Sequence, residues 1–520
     1  MMTLTKRAAA VGLTLVLCVA AARLSVELIP FDMDEFIHFH ALGCLAFPQS
    51  RALSGFDESC RALELTLPFS STPLPLRSYA YNGSLPSIVF WPFWLAFKDP
   101  VSARVQGFFF LALLTLLISR ISRTSLLSSA LAVLVLPTFA FSLIVDLGAT
   151  GFSLTAGAIA VLCLDRALQA PRTRNQVLWG LAAGLACASG AWAKLVFVWF
   201  LPGLAFWALA RVAKRPEARP ALWRAGLALT LVLGSATALL VFSRDSAGRP
   251  FKEVLSYSEP ARKVKQVRRR ALMLVDTVLD GTSVMPEFMR IPPASPDGLP
   301  RTLAVLLILY GLASPARSKV GVFLVAGLLS LMATATSQAA WGPHHVAFGA
   351  FFVVLALASA LDRLRTRRSL AFGGASALVA LVLGGLLYRL PQADIDPRVG
   401  FAKDRLLNSI RRSRLDSQCL QVHVSWGTYY ISHLFGSPEQ AVAFSRRHPL
   451  DASDADLLRE SAGDKRCLLV VSEESEPRPA LEAALGPART EYREGSWRAR
   501  LYDLDPGAHP TLGRALGGPG

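Results

Sequence analysis

Three carboxylates and two imidazoles stand together in the stretch Phe31-Asp32-Met33-Asp34-Glu35-Phe36-Ile37-His38-Phe39-His40. They follow directly on an apolar run from about Ala8 to Pro30. Acids and imidazoles at the edge of a membrane span are costly to desolvate and add nothing to apolar packing. If Asp34–His40 is helical, Asp34 and His38 are spaced i,i+4 and Glu35 and His38 i,i+3, so the three share one face. A carboxylate held there can take a proton from an acceptor hydroxyl or amine, or hold a divalent metal. The competing reading is an ordinary polar loop whose acids cap a helix.

The rest of the chain must position that stretch, and its composition says how. Of 520 residues, 52% are hydrophobic and only 18% charged, against roughly 25% charged in a soluble protein. Mean hydropathy is +0.41. Apolar runs such as Ala225–Ser243, Val320–Thr336 and Ala371–Tyr388 each approach the ~20 residues that cross a bilayer as a helix. The fold class is therefore a polytopic α-helical membrane protein. Eleven spans are expected, at about 8–29, 102–119, 126–145, 149–165, 177–193, 195–210, 225–243, 301–314, 320–336, 345–361 and 370–389. They make a transmembrane module over residues 1–390, with outer loops at 31–101 and 244–300. A small soluble α/β domain over 391–506 and a disordered Gly/Pro-rich tail over 507–520 complete the expected organisation.

Ser84–Phe97 decides the topology. If it does not span, the clusters Arg120/Arg123, Arg166/Arg172/Arg174, Arg211/Lys214/Arg215/Arg219/Arg224, Arg317/Lys319 and Arg363/Arg365/Arg367/Arg368 all face the cytoplasm. If it does, every one of them moves outside and the positive-inside rule fails at each loop. The segment is short and carries Pro86 and Pro92 with Trp91, Phe93 and Trp94, which fits an interfacial helix. The expected placement is a bacterial-type inner membrane, with the N-terminus cytoplasmic and the C-terminal domain periplasmic. The net charge of +17 then belongs to loops against anionic lipid rather than to a nucleic-acid surface.

Within the C-terminal domain a helix is expected over Gly400–Leu415 and strands at Cys419–Ser425, Cys467–Ser472 and Arg498–Leu504. Helical patterns lie between them at Pro438–Arg447, Ala452–Ser461 and Pro479–Leu485. Alternating elements of this kind give a sheet with helices packed on it. The seven cysteines include two pairs, Cys44/Cys60 and Cys419/Cys467, that share a predicted outer region. Either pair suits a disulfide in an oxidising compartment, and spacing alone does not decide it. No Cys/His spacing typical of zinc is present.

Asp-Glu followed by His-Phe just after the first span resembles the first-loop motif of the GT-C fold glycosyltransferases, the superfamily of protein O-mannosyltransferases and of the aminoarabinose transferases that modify lipid A. Tyr81-Asn82-Gly83-Ser84-Leu85-Pro86, Trp91-Pro92-Phe93 and Ala103-Arg104 are similar to that family's second juxtamembrane helix leading into the second span. Asp146, Ala191-Trp192-Ala193-Lys194, Trp341-Gly342-Pro343-His344-His345 and Ser425-Trp426-Gly427-Thr428-Tyr429-Tyr430 resemble further family positions. The two residues between Glu35 and His38 depart from the O-mannosyltransferase form.

The resemblance implies a polyprenyl-phosphate sugar as donor and a lipid, glycan or protein as acceptor at the outer face. Asp34 would be the catalytic carboxylate and Glu35 its support. His38, Arg104, Asp146, Lys194, His344, His345 and Arg269 are the expected substrate contacts. Arg269 lies in the basic run Arg262–Arg270, where guanidinium groups suit bidentate phosphate contacts. Each has a structural alternative. Asp146 suits a helix cap, Lys194 could snorkel, and the basic run suits a solvated face or one lying on anionic headgroups. Adjacent histidines on a helix diverge by ~100°, which argues against one shared metal ion. No cofactor is assigned beyond a divalent metal left open, and no nucleic-acid partner is expected. The rival class is a transporter or flippase of a lipid-linked or anionic solute, which would need charges near the bilayer midplane.

Overall fold

In the computed structural model the described residues are 4–29, 31, 35–47, 64–65, 74–75, 77–79, 82–146, 149–242, 264–279, 298–336, 343–389, 397–436, 439–444, 461, 465, 467–473 and 486–504. The helices run α1 (Leu4–Leu28), α2 (His40–Ala46), α3 (Leu85–Phe97), α4 (Val101–Ser122), α5 (Leu126–Val135), α6 (Pro137–Ile144), α7 (Thr150–Gln169), α8 (Thr173–Ala193), α9 (Leu201–Ala213), α10 (Arg219–Phe242), α11 (Val264–Leu279), α12 (Leu299–Ala313), α13 (Arg317–Ala335), α14 (Pro343–Arg367), α15 (Ser369–Arg389), α16 (Pro397–Arg412), α17 (Leu415–Gln418) and α18 (Trp426–Phe435).

A helix stands at each of the eleven expected spans. Among the described residues, however, only six are long and apolar enough to cross a membrane, or seven if α5 and α6 count as one. The run expected as one span over 126–145 is two helices bent by 97°. Pro137 opens the second of them, and Leu136 before it adopts φ −106°, ψ 87°. Proline disfavours the helical region for its predecessor, so the helix stops there. α12, with 15 residues, rises only ~22 Å and falls short of the ~30 Å hydrocarbon layer. α3 has 13 residues with Pro92 inside and reaches only ~20 Å. Its length matches an interfacial helix rather than a span.

The chain divides into two compact units, described separately. The first comprises Met1–Ile29, Ala80–Leu85 and Ala103–Ala393. Its central element is α14, apolar on every side and wholly buried across its span, as a helix enclosed by other helices must be. α8 and α10 approach closely because Gly180 and Gly184 face backbone. A Cβ on Gly180 would lie 2.5 Å from the Ala225 Cα, and one on Gly184 2.8 Å from the Leu229 Cα. Small residues spaced four apart are the usual means of such contact between membrane helices. One end of this unit is basic and cross-linked. Arg123 and Arg211 reach Asp165 at 3.3 and 2.5 Å. Asp362 accepts from the Ser125 backbone N–H at 2.9 Å, Arg224 donates to Gln176 at 2.9 Å, and Lys319 donates to the Ser122 carbonyl. All these groups lie at the C-terminal ends of α4, α7, α9 and α14 or the N-terminal ends of α5, α8, α10 and α13.

The second unit comprises Pro30–Tyr79, Pro86–Ser102 and Asp394–Gly520. The segment after the first span therefore clusters with the C-terminal residues. Short strands β1 (Glu64–Leu65) and β2 (Leu74–Pro75) pair antiparallel, and β3 (Arg77–Tyr79) precedes β4 (Asn82–Gly83) of the first unit. The C-terminal sheet contains β5 (Cys419–His423), β6 (Ala441–Phe444), β7 (Cys467–Glu473), β8 (Thr490–Glu494) and β9 (Trp497–Asp503), in the order β6-β5-β7-β9-β8. β5 runs parallel to both β6 and β7, and β9 antiparallel to β7 and β8. The parallel strands are buried residue after residue, whereas β9 alternates. Parallel strands covered on both faces show that difference from antiparallel ones near an edge.

Two elements differ from the sequence-based expectation. Residues 441–444, expected within a helix over Pro438–Arg447, form β6, because a short apolar run reads equally as buried strand or helix. β8 was not anticipated. It is a charged edge strand joined to β9 through Gly495-Ser496, with Gly495 at φ 57°, the conformation a two-residue hairpin requires.

Cys419 and Cys467 are register partners on β5 and β7, with Cα atoms 4.5 Å apart, and form a disulfide. Cys44 is also disulfide-bonded, and Cys60 lies outside the described residues. A cross-link over a sequence separation of 48 removes about 4 kcal/mol of loop entropy from the unfolded chain. Replacing Cys419 and Cys467 together by serine is expected to lower the stability of this domain by that order. Limited proteolysis across a temperature series measures it, and an unchanged melting profile would contradict it.

Candidate functional site

In the first unit Arg104, Asp146, Lys194, His344 and His345 sit at the end opposite the basic network. Arg104 lies in the first turn of α4 and is fully buried. Two residues on, the Gln106 amide donates to Asp146 Oδ2 at 3.3 Å. Asp146 Oδ1 accepts the Gly151 N–H at 2.6 Å, so its carboxylate caps the start of α7 and faces the positive end of that helix. Asp146 has φ 45°, left-handed and unusual for this residue, which the cap over-determines.

Lys194 ends α8 and is only 1% exposed, so it does not snorkel to an interface. Its charge acts on His344. His344 and His345 are buried at the start of α14, with ring centroids 4.0 Å apart and edge to face. His345 also packs edge-on against Trp199, at 5.3 Å. A lysine and two adjacent histidines are thus brought together and largely dehydrated, where a cation binds an anion far more strongly than in water. Arg269 lies on α11, whose Leu274, Thr277 and Val278 are buried on one face. The Arg269 side chain lies outside the described residues. An apolar cavity of about 680 Å³ runs along α1, α4 and α5, lined by residues such as Leu17, Phe109, Leu116 and Val133. It offers room for a hydrocarbon chain and no chemistry.

In the second unit the described residues 35–39 of the acidic stretch are not an α-helix. Ile37–Phe39 is a 3-10 turn leading directly into α2. Three residues per turn put Glu35 and His38 on one side, and both are fully buried. Asp34 lies outside the described residues. The His38 carbonyl accepts from Ser87 Oγ of α3 at 3.0 Å, and Phe39 stacks on Phe90 of α3 at 3.8 Å.

Sequence reasoning missed the cluster beside it. His40 and His433 meet through their Nδ1 atoms at 2.9 Å, and Cys44 Sγ lies 3.7 Å from His40 Nε2. Tyr429 and Tyr430 flank the pair. Imidazole nitrogens in contact require one donor and one acceptor, so this contact excludes two imidazolium rings. His40, Cys44 and His433 offer ligand atoms within 4.8 Å of one another. The Cys44 sulfur is committed to a disulfide, and a thiolate is what a metal would need from it. The donor set therefore does not fit a metal ion.

α18, which carries His433, is held at its C-terminus by three side chains. Gln440 donates to the His433 carbonyl at 3.0 Å, Trp94 of α3 to that of Leu434 at 2.8 Å, and Arg411 to that of Phe435 at 3.2 Å. These are carbonyls a helix end leaves unsatisfied.

Burial, then the neighbouring His40 and His423, hold His433 well below the usual histidine pKa. Burial alone takes His423 down to about 3. The native state therefore binds fewer protons than the unfolded chain below pH 6.5. The stability involved is complete above about pH 6.5 and falls as the pH drops, by about 1.4 kcal/mol per pH unit for each histidine. Thermal unfolding of the second unit between pH 7.5 and 5 should follow that slope, and His423→Gln should flatten it. An identical slope in the variant would contradict the assignment.

No protein-family model and no curated protein matches this sequence. Solved structures do match. They show the fold, which this chain shares along nearly its whole length. The chain is similar over 94% of its length to ArnT from Cupriavidus metallidurans bound to undecaprenyl phosphate, covering 97% of that chain with a TM-score of 0.57 at 11% identity. The apo state of the same ArnT aligns over 95% of this chain and 98% of its own, with a TM-score of 0.56 at 12% identity.

Proposed function

We propose that this protein is an integral-membrane glycosyltransferase that moves a sugar from a polyprenyl-phosphate donor to an acceptor at the outer face of the membrane. The observation that carries the reading is the likeness of fold to ArnT along nearly the whole chain, together with a carboxylate-rich stretch directly after the first span. In this reading Asp34 takes the proton from an acceptor hydroxyl or amine as that atom attacks the anomeric carbon. The bond from that carbon to the lipid phosphate breaks, and the phosphate leaves with the bonding pair. Dehydrated cations stabilise its charge, and Arg104, Lys194 and the basic run containing Arg269 supply them, with His38, His344 and His345 on the sugar or phosphate. Asp146 then acts by holding the start of α7 and the first turn of α4 beside one another.

The same reading places the arginine-rich end of the first unit in the cytoplasm and the C-terminal domain outside, where its disulfide is stable. The transport alternative draws no support, since the described charges lie near helix ends rather than mid-span. Incubation of the purified protein in lipid with a radiolabelled polyprenyl-phosphate sugar and an envelope lipid fraction tests the proposal. Transfer of label supports it, and label that moves only between compartments, without a change of covalent carrier, refutes it.

A further inference from the structure

The residue that opens the acidic stretch is gripped on both sides by the C-terminal domain. The Phe31 N–H donates to Asp404 Oδ2 at 3.3 Å, and the Phe31 carbonyl accepts from Lys403 Nζ at 2.5 Å. Lys403 and Asp404 are successive residues of α16, with their charged atoms 4.0 Å apart. Lys403 is only 6% exposed, and the cost of dehydrating its ammonium is offset there by the Phe31 carbonyl and the neighbouring Asp404 carboxylate. The Phe31 ring is fixed as well. It packs on Phe36 at 5.4 Å, and Phe36 meets Phe435 of α18 edge-on at 5.7 Å. Both phenylalanines are buried. Two backbone bonds and a ring contact thus define where the chain stands at Phe31. Asp34 follows three residues later, within ~11 Å along even a fully extended chain.

We propose that Lys403 and Asp404 are positioning residues, a two-point clamp through which α16 fixes the backbone at Phe31, three residues before Asp34. Neither touches substrate in this scheme. Their effect is transmitted through the Phe31 backbone, and a displacement of about 1 Å at a reacting group is enough to slow chemistry about a hundredfold. The clamp rests on the proposed sugar transfer only for its activity readout.

Lys403→Met and Asp404→Ala remove the two bonds, while Lys403→Arg and Asp404→Asn retain a donor and an acceptor. In the full-length protein the first pair is expected to lower kcat at least about tenfold with the donor KM within about twofold of the parent, and the second pair to recover most of the loss. Amide exchange provides a readout independent of turnover. Peptides covering residues 29–40 should exchange at least about tenfold faster in Lys403→Met, while those covering β5 and β7 stay unchanged. Unchanged exchange over 29–40 would overturn the clamp, as would equal acceleration in β5 and β7, which would make Lys403 only a stabiliser of the domain. If the parent protein transfers no sugar, the proposed function fails and the exchange result alone decides the clamp.

Discussion

Asp34→Asn is expected to lower sugar transfer by a factor of about 100 to 10,000, the usual contribution of a positioned general base. Asparagine keeps the size and one acceptor oxygen of the side chain but cannot take a proton. Membrane insertion should be unaffected, because one carboxylate outside an apolar run of more than twenty residues contributes little to partitioning. Glu35→Gln should do less to kcat, since Glu35 is fully buried in the turn that also buries His38 and is assigned support rather than proton transfer. The measurement is initial rate with a labelled polyprenyl-phosphate sugar, alongside protease protection of the C-terminal domain to verify topology. A fully active Asp34→Asn protein removes this residue from the mechanism. Loss of activity together with loss of protection would mean that the substitution had disturbed insertion instead.

The expectation for Asp34 came from a motif resemblance, while residue types and order carried much of the architecture. Apolar runs located a helix at all eleven places because a bilayer permits little else for a chain whose backbone polar groups must be satisfied. The bend before Pro137 was also open to reading, since the residue before proline avoids the helical region. What failed had physical reasons. Ala441–Phe444 is four apolar residues, too few for either periodicity to register. β8 is polar and pairs on one side only, so burial leaves no trace in its sequence. The disulfide between Cys419 and Cys467 was left open by spacing and closed by strand register.

The largest omission was His433. It lies 393 residues from His40, and no local pattern links them. Lys403 and Asp404 were equally hidden, because a Lys-Asp pair in a charged helix reads as solvated surface. Lys194 was noticed for its place at a helix end, but its burial among α8, α14 and the Leu195–Phe200 turn could come only from tertiary structure. Motif reading thus singled out the groups proposed to act on substrate, and missed groups that hold other groups in place.

Gly107 offers the second large effect, and it depends on tertiary structure alone. A Cβ at this position would stand 2.1 Å from the Ile144 carbonyl oxygen and 2.8 Å from both the Ile144 carbonyl carbon and the Leu143 oxygen. All three are backbone atoms of α6, so no rotamer relieves the clash, and the two helices must move apart by about 1 Å. Asp146 follows α6 by two residues, and Gln106 of α4 is hydrogen-bonded to it. Separation of α4 from α6 therefore pulls directly on the carboxylate that caps α7. Gly107→Ala is expected to cost about 1–3 kcal/mol of stability and to slow transfer by about a hundredfold through misplacement. Gly226→Ala is the internal control. It lies within α10 with nothing within 4 Å of its Cβ position, so relief of glycine's backbone entropy should stabilise it by about 0.5–1 kcal/mol. Thermal unfolding in detergent and transfer rates on both variants test the contrast. Equal behaviour of the two would mean that α4 and α6 are not in the close contact from which Asp146 takes its position.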